Sequence, residues 1–398
     1  MVGGGMVANG VNYLYHLLMG RALGPESYGV LASAFAVIYI VSVIPVSASF
    51  AVVKFISSAK DTKEMYSIFL AVKKLVFRIA AILGVILLIV SPFFAQFLHI
   101  DNVLIIAMIA PILFFVISTL VYQSTLQGLL KFWGVTGPII VSSVGKLVLG
   151  LLFVILGMSV VGAMLGIMIA ALLAFLYAKM LSGNIPRATK KLEYDLKPLL
   201  VYAAPVLVQA VAFTMIFTVD LILVKHYLPP FEAGLYAALS TLGKIIYFAV
   251  QPVSSVMFPI VSGKKSRGES YRRVFVFTYS VSVVVSFFIV GMYYLFPELA
   301  IGVLYGSDYL AAKDALVWMG LFISVYNLCY FMVNFLLSLG KTKVVVLPAA
   351  AFVLQTILVV VFHSSVIEVI KVSLSVVMVL FICINVLVYK YNGGKLRV

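Results

Sequence analysis

Three charges in this chain sit where charge is costly. Lys146 follows Ser142-Ser143-Val144-Gly145, Lys244 follows Thr241-Leu242-Gly243, and Asp220 sits in Phe217-Thr218-Val219-Asp220-Leu221. Each lies inside a long apolar run, where an ionised side chain at the centre of a bilayer costs at least ~2.5–3.5 kcal/mol. A lysine there must face a water-filled cavity or an anionic partner, so Lys146 and Lys244 are candidate substrate-binding residues for an anion; a structural ion pair is the competing use. Asp220 is the one carboxylate within an apolar run that lies away from the run's first and last turns and is not paired with a lysine on its own helical face. A carboxylate is the residue type that binds H+ or Na+ in coupled transport, or pairs with a neighbouring lysine. Arg21, at the mouth of the first polar break, is a third candidate for attracting an anion, or caps the end of the first helix. His16 is placed to assist a proton relay, although a lone histidine is more often simply hydrogen-bonded. Lys371 follows Glu368 by three residues on one helical face, so a local pair or snorkelling accounts for it.

The elements that must position these residues are apolar runs of membrane-spanning length. With 64% hydrophobic and 10% charged residues, the chain is no soluble domain, in which about 25% of residues are charged. Runs near the ~20 residues needed to cross about 30 Å of hydrocarbon recur at 2–19, 30–53, 76–97, 102–125, 135–156, 160–181, 198–224, 235–261, 274–296, 315–339, 343–362 and 366–389. They are continuously apolar rather than alternating, which excludes a β-barrel. The expected fold is an all-α polytopic membrane protein with twelve transmembrane helices. Lys244, ten residues into its run, lies about 15 Å deep at 1.5 Å per residue, and Lys146 is about equally deep.

The net charge of +15 does not mark a nucleic-acid partner. Of the 28 Lys and Arg residues, 22 fall in every second connection or at the C-terminus, whereas the alternate connections hold only Arg21, Lys225 and Lys313. Positive charge is retained on the cytoplasmic side during insertion, so the expectation is a plasma-membrane protein with both termini cytoplasmic. The basic loops are also available to anionic membrane lipid.

The pattern Leu-x-Pro-x-x-x-Gly occurs twice, as Leu23, Pro25, Gly29 and as Leu228, Pro230, Gly234. Each copy follows an apolar run in the same position, and the polar stretch 182–197 falls after six runs. The expected organisation is therefore two parallel six-helix lobes, 1–181 and 198–398, joined by a cytoplasmic linker at 182–197, with the substrate met between duplicated halves. No Walker A, His-Glu-x-x-His or Gly-x-Ser-x-Gly motif is present, so no cofactor and no catalytic residues are expected. A glycosyltransferase or polymerase would need an acidic external loop, and Glu26, Glu298 and Asp308 are scattered. Cys329 and Cys383 fall inside apolar runs and imply neither a disulfide nor a metal site.

The stretch Gly20-Arg21-Ala22-Leu23-Gly24-Pro25-Glu26-Ser27-Tyr28-Gly29 resembles the signature of polysaccharide-biosynthesis membrane proteins. These are the Wzx-like oligosaccharide flippases of the multidrug/oligosaccharidyl-lipid/polysaccharide (MOP) exporter superfamily. The second half is similar, with Asp220-Leu221-Ile222-Leu223, Leu228-Pro229-Pro230, Gly234-Leu235-Tyr236-Ala237-Ala238 and Val256-Met257-Phe258-Pro259. The resemblance implies two six-helix lobes around a central cavity, as in the MATE and MurJ transporters. It also implies alternating access and a polyprenyl-diphosphate-linked oligosaccharide as cargo, and no enzymatic activity. Lys146 and Lys244 would meet the diphosphate, and Asp220 corresponds to an acidic residue common in the seventh span. The alternative within the superfamily is a cation-coupled exporter of drugs or metabolites. Two departures stand out: the stretch before Arg21 is short and lacks Lys and Arg, and the two extra C-terminal spans of the lipid II flippase branch are missing.

Overall fold

The computed structural model describes residues 2–186, 188 and 197–391, which are nearly all helical, with no strand among them. The helices are α1 (Val2–Ser57), α2 (Thr62–Phe97), α3 (Val103–Ala107), α4 (Ile109–Gly128), α5 (Trp133–Phe153), α6 (Ser159–Leu181) and α7 (Lys197–Ile216). They continue as α8 (Val219–Tyr227), α9 (Pro230–Ser266), α10 (Arg272–Leu295), α11 (Pro297–Leu304), α12 (Lys313–Ser338), α13 (Val346–Val361) and α14 (Val366–Tyr391). Among the described residues, ten helical segments are long and apolar enough to cross a membrane. Twelve separate runs were expected. The difference arises at Val7–Val43 and Trp133–Leu181, each of which takes in two expected runs.

Both mergers have the same physical cause. Where the sequence reading placed a loop, the chain breaks at a glycine of positive φ and resumes its helix at once. Gly24 (φ 72°, ψ 171°) breaks α1, a backbone conformation that a side chain would strain. Pro25 then opens the second limb, with its φ set for a helical first turn. The second copy of the motif does the same work with different residues. Leu228 and Pro229 are extended, and Pro230 is the first residue of α9. Between α5 and α6 a single π-helical stretch, Val154–Met158, contains Gly157 at φ 86°.

The described residues fall into two compact units, Met1–Val211 and Ala212–Val398. Of the expected linker at 182–197, positions 187 and 189–196 lie outside the described residues. In the first unit, α1, α5 and α6 approach closely through small residues, the means by which membrane helices gain packing contact. A Cβ on Gly166 of α6 would lie 2.4 Å from the backbone N of Gly150 on α5, and one on Gly145 would lie 3.2 Å from Ala170 Cβ. A Cβ on Gly150 would meet the Tyr15 ring of α1 at 2.9 Å. Ile56, Met65, Phe69, Tyr122, Leu126 and Ala178 belong to a second buried cluster of this unit. In the second unit, Gly243 of α9 performs the same service against α12, where a Cβ would sit 2.8 Å from Ile323.

α7 and α8 form one expected run broken in two, which the sequence did not reveal. The helix stops at Ile216 and resumes at Val219, with Thr218 at φ −134°. Carbonyls near a mid-run break lose helical partners, and in a membrane they must find others. Phe213 O keeps its helical partner, Phe217 N, at 3.2 Å and also accepts from Tyr326 Oη of α12 at 3.1 Å. Gln355 Nε2 of α13 donates to Ile216 O at 3.2 Å and also lies 3.0 Å from Ser373 Oγ of α14. Three neighbouring helices thus hold the break open as a fixed feature.

Candidate binding sites in the two units

Lys146 is placed by the α1–α5 contact. It lies one turn before Gly150 on the same face of α5, and Gly150 admits the Tyr15 ring. The Lys146 Nζ therefore stands 4.6 Å from the Tyr15 ring centroid and 5.2 Å from that of Phe35. His16 packs against Phe35 at 4.8 Å between centroids, and its Nδ1 is 3.3 Å from Tyr28 Oη. The Tyr15 hydroxyl is buried and without a hydrogen-bond partner among the described residues. No described carboxylate lies within ion-pair range of Lys146, which is itself half-buried. Cation–π contacts are worth about 0.5–2 kcal/mol. They offset only part of the ~2.5–3.5 kcal/mol cost of a deep charge, leaving a standing drive to recruit an anion.

Lys244 occupies a comparable setting in the second unit. Its Nζ lies 4.7 Å from the ring centroid of Phe217, the residue at the α7–α8 break. Phe217 stacks on Tyr326 at 5.3 Å and packs on Tyr247 at 5.2 Å. Tyr330 closes the group, 6.1 Å from Tyr247. Asp220 begins the helix on the other side of the same break and is 1% exposed. Its Oδ2 accepts from Tyr236 Oη at 2.5 Å, and its Oδ1 accepts from Leu221 N at 2.8 Å. Its position in the first turn of α8 also places it at the positive end of the helix dipole. Asp220 is three residues along the chain from Phe217, the ring that Lys244 faces. The break thus brings a cation and a carboxylate to one place.

Arg21 is exposed, one turn before the break at Gly24. Lys371 does not join either site; its Nζ lies 4.8 Å over the Trp318 ring, while Glu368 accepts from Ser364. Among the described residues no group of His, Cys, Asp or Glu side chains is arranged to hold a metal ion. The sequence reading missed the rings under the lysines, the Tyr236 partner of Asp220 and the break itself. Only Thr218, a weak helix former before the acidic residue, gave any hint of the last.

The model of the family described as polysaccharide biosynthesis protein matches residues 1–264. The chain belongs to that family. No curated protein matches it. Its fold is shared with solved MOP-superfamily members, transporters and flippases rather than catalytic enzymes. A multidrug resistance MATE family transporter in an inward-facing conformation superposes with a TM-score of 0.73 at 13% identity, over 96% of both chains. The lipid II flippase MurJ in an inward closed conformation gives 0.75 at 15% identity, over 97% of this chain and 86% of that one. A MOP superfamily transporter from Pyrococcus furiosus, described as having a binding pocket of reverse polarity, gives 0.64 at 13%, over 96% and 93%. This member of the family is therefore a multi-pass membrane protein of MOP architecture.

Proposed function

We propose that the protein is an alternating-access flippase for polyprenyl-diphosphate-linked oligosaccharide in the cytoplasmic membrane. The observation that carries this reading is a deep lysine in each unit, Lys146 and Lys244, held against aromatic faces. A diphosphate supplies the anion that Lys146 lacks and adds to the Asp220 carboxylate beside Lys244, and its charge-assisted hydrogen bonds to ammonium groups are roughly twice as strong as neutral ones. The polyprenyl tail need never leave the hydrocarbon. Family membership supports a role in polysaccharide assembly, and the neighbour named as a lipid II flippase supports a lipid-linked cargo.

In this reading residues 1–181 and 198–398 are parallel lobes of six crossings each, with both termini cytoplasmic and Arg21 at the external mouth. Asp220 is the coupling site for H+ or Na+, since a broken span offers a buried carboxylate and a helix end together. The same feature supports the second reading, a cation-coupled exporter of drugs or metabolites. The two differ in cargo charge. Mass spectrometry of lipid co-purified with the protein in mild detergent separates them. Polyprenyl-diphosphate sugar bound in wild type and lost in Lys146→Ala/Lys244→Ala supports the flippase; its absence from wild type refutes it.

A further inference from the structure

We propose that Lys73 is the centre of a separate binding site for the phosphate headgroup of a lipid, at the basic end of the first unit. Lys73 lies on α2, and its Nζ is 5.7 Å from the ring centroid of Tyr122 and 5.9 Å from those of Phe69 and Phe77. All three distances are near the ~6 Å limit at which such contacts act. The lysine is therefore enclosed by rings on one side but only weakly held by them.

Its level along the helix identifies the ligand. From Ile79 to Phe97 α2 carries no charged residue. That stretch rises about 28 Å at 1.5 Å per residue, the thickness of a bilayer's hydrocarbon. Lys73, Lys74 and Arg78 come immediately before it, at the depth of lipid phosphates. Lys74 and Arg78 are exposed, and Lys73 is half-buried. No described carboxylate is within ion-pair range of any of the three. The nearby acids are committed elsewhere: Asp61 Oδ1 accepts from Glu64 N at 2.7 Å, and Glu64 Oε2 accepts from Lys60 N at 2.8 Å. Three uncompensated cations within two helical turns at this boundary have lipid phosphate as their natural counterion. The exposed pair draws the headgroup in, and Lys73 exchanges three weak ring contacts for one charge-assisted bond.

The headgroup belongs either to a polyprenyl-phosphate carrier or to an ordinary anionic phospholipid, and the site stands whether or not the proposed cargo is correct. The test is native mass spectrometry of the full chain in neutral detergent, titrated separately with polyprenyl phosphate and phosphatidylglycerol. Lys73→Ala is expected to weaken binding of at least one lipid five- to tenfold, and Lys73→Arg to retain it. Stronger binding of polyprenyl phosphate assigns the site to the carrier; equal or stronger binding of phosphatidylglycerol assigns it to bulk lipid. Affinities for both lipids within twofold of wild type in Lys73→Ala, with the variant folded by its Tm, overturn the proposal. Because Lys146→Ala/Lys244→Ala leaves α2 intact, loss of cargo there with retained binding here separates this site from the flippase reading.

Discussion

Replacing Tyr236 by Phe isolates a single bond at the broken helix. The ring is fully buried and its packing survives, while the 2.5 Å hydrogen bond to Asp220 Oδ2 is lost. Leu221 N–H, at 2.8 Å on Oδ1, remains. A hydrogen bond to a charged acceptor is worth about 1.5–3 kcal/mol, against about 0.5–1.5 kcal/mol for a neutral one. Tyr236→Phe should therefore cost about 2 kcal/mol in wild type and about 1 kcal/mol in an Asp220→Asn background, where the acceptor is neutral. The coupling of about 1 kcal/mol is measured by a double-mutant cycle of unfolding in mixed micelles. Groups in direct contact couple by about 0.5–3 kcal/mol, whereas independent sites add to within ~0.5 kcal/mol. Additive costs would refute the claim that this hydroxyl supports the carboxylate. In proteoliposomes, Asp220→Asn should also abolish the dependence of transport on H+ or Na+; a retained dependence removes Asp220 from coupling.

Other outcomes follow from the packing. Gly166→Ala pushes a Cβ into backbone of α5 that cannot yield, so it should lower stability by about 1–3 kcal/mol, read as a fall in Tm. Gly150→Ala meets the Tyr15 ring first, at 2.9 Å; it should displace the ring beneath Lys146 and weaken polyprenyl-diphosphate binding severalfold, and unchanged binding would show that the ring does not position the lysine. Gln355→Leu strips the donor from Ile216 O and should cost about 1–3 kcal/mol for a buried unsatisfied carbonyl. Glu298 accepts from Lys313 Nζ at 2.7 Å, which holds its carboxyl below the usual glutamate range. Its contribution is present above the unfolded value of about 4.3 and fades as pH falls through the lower folded value. Glu298→Gln should thus lower Tm slightly at neutral pH and not at acidic pH; because the pair is exposed, the effect is small.

The fold was legible because hydrocarbon leaves a spanning chain few choices. Apolar length located almost every helix, and the duplicated proline–glycine motif marked the two equivalent breaks. Connections were harder. A single glycine at φ 72° or 86° replaces a loop without altering composition, so two pairs of runs merged. The α7–α8 break was hinted at only by Thr218, because Gln355, which satisfies its Ile216 carbonyl, is more than a hundred residues away in sequence. For the candidate site, depth and charge singled out Lys146, Lys244 and Asp220. Their partners Tyr15, Phe217 and Tyr236 could not be separated from the many other aromatic residues of a 64% hydrophobic chain. Neither Lys73 nor its cage of rings was legible, because positive-inside topology already explained a lysine there.

The central claim is that the deep lysines carry an anionic lipid-linked cargo across the membrane. It is tested most directly in liposomes holding purified protein and a fluorescent polyprenyl-diphosphate sugar on one leaflet, with arrival on the other read by quenching. Wild type should move the lipid well above protein-free vesicles, and Lys146→Ala/Lys244→Ala should slow it at least tenfold. Movement at the protein-free rate, or an undiminished rate in the double variant, would contradict the account.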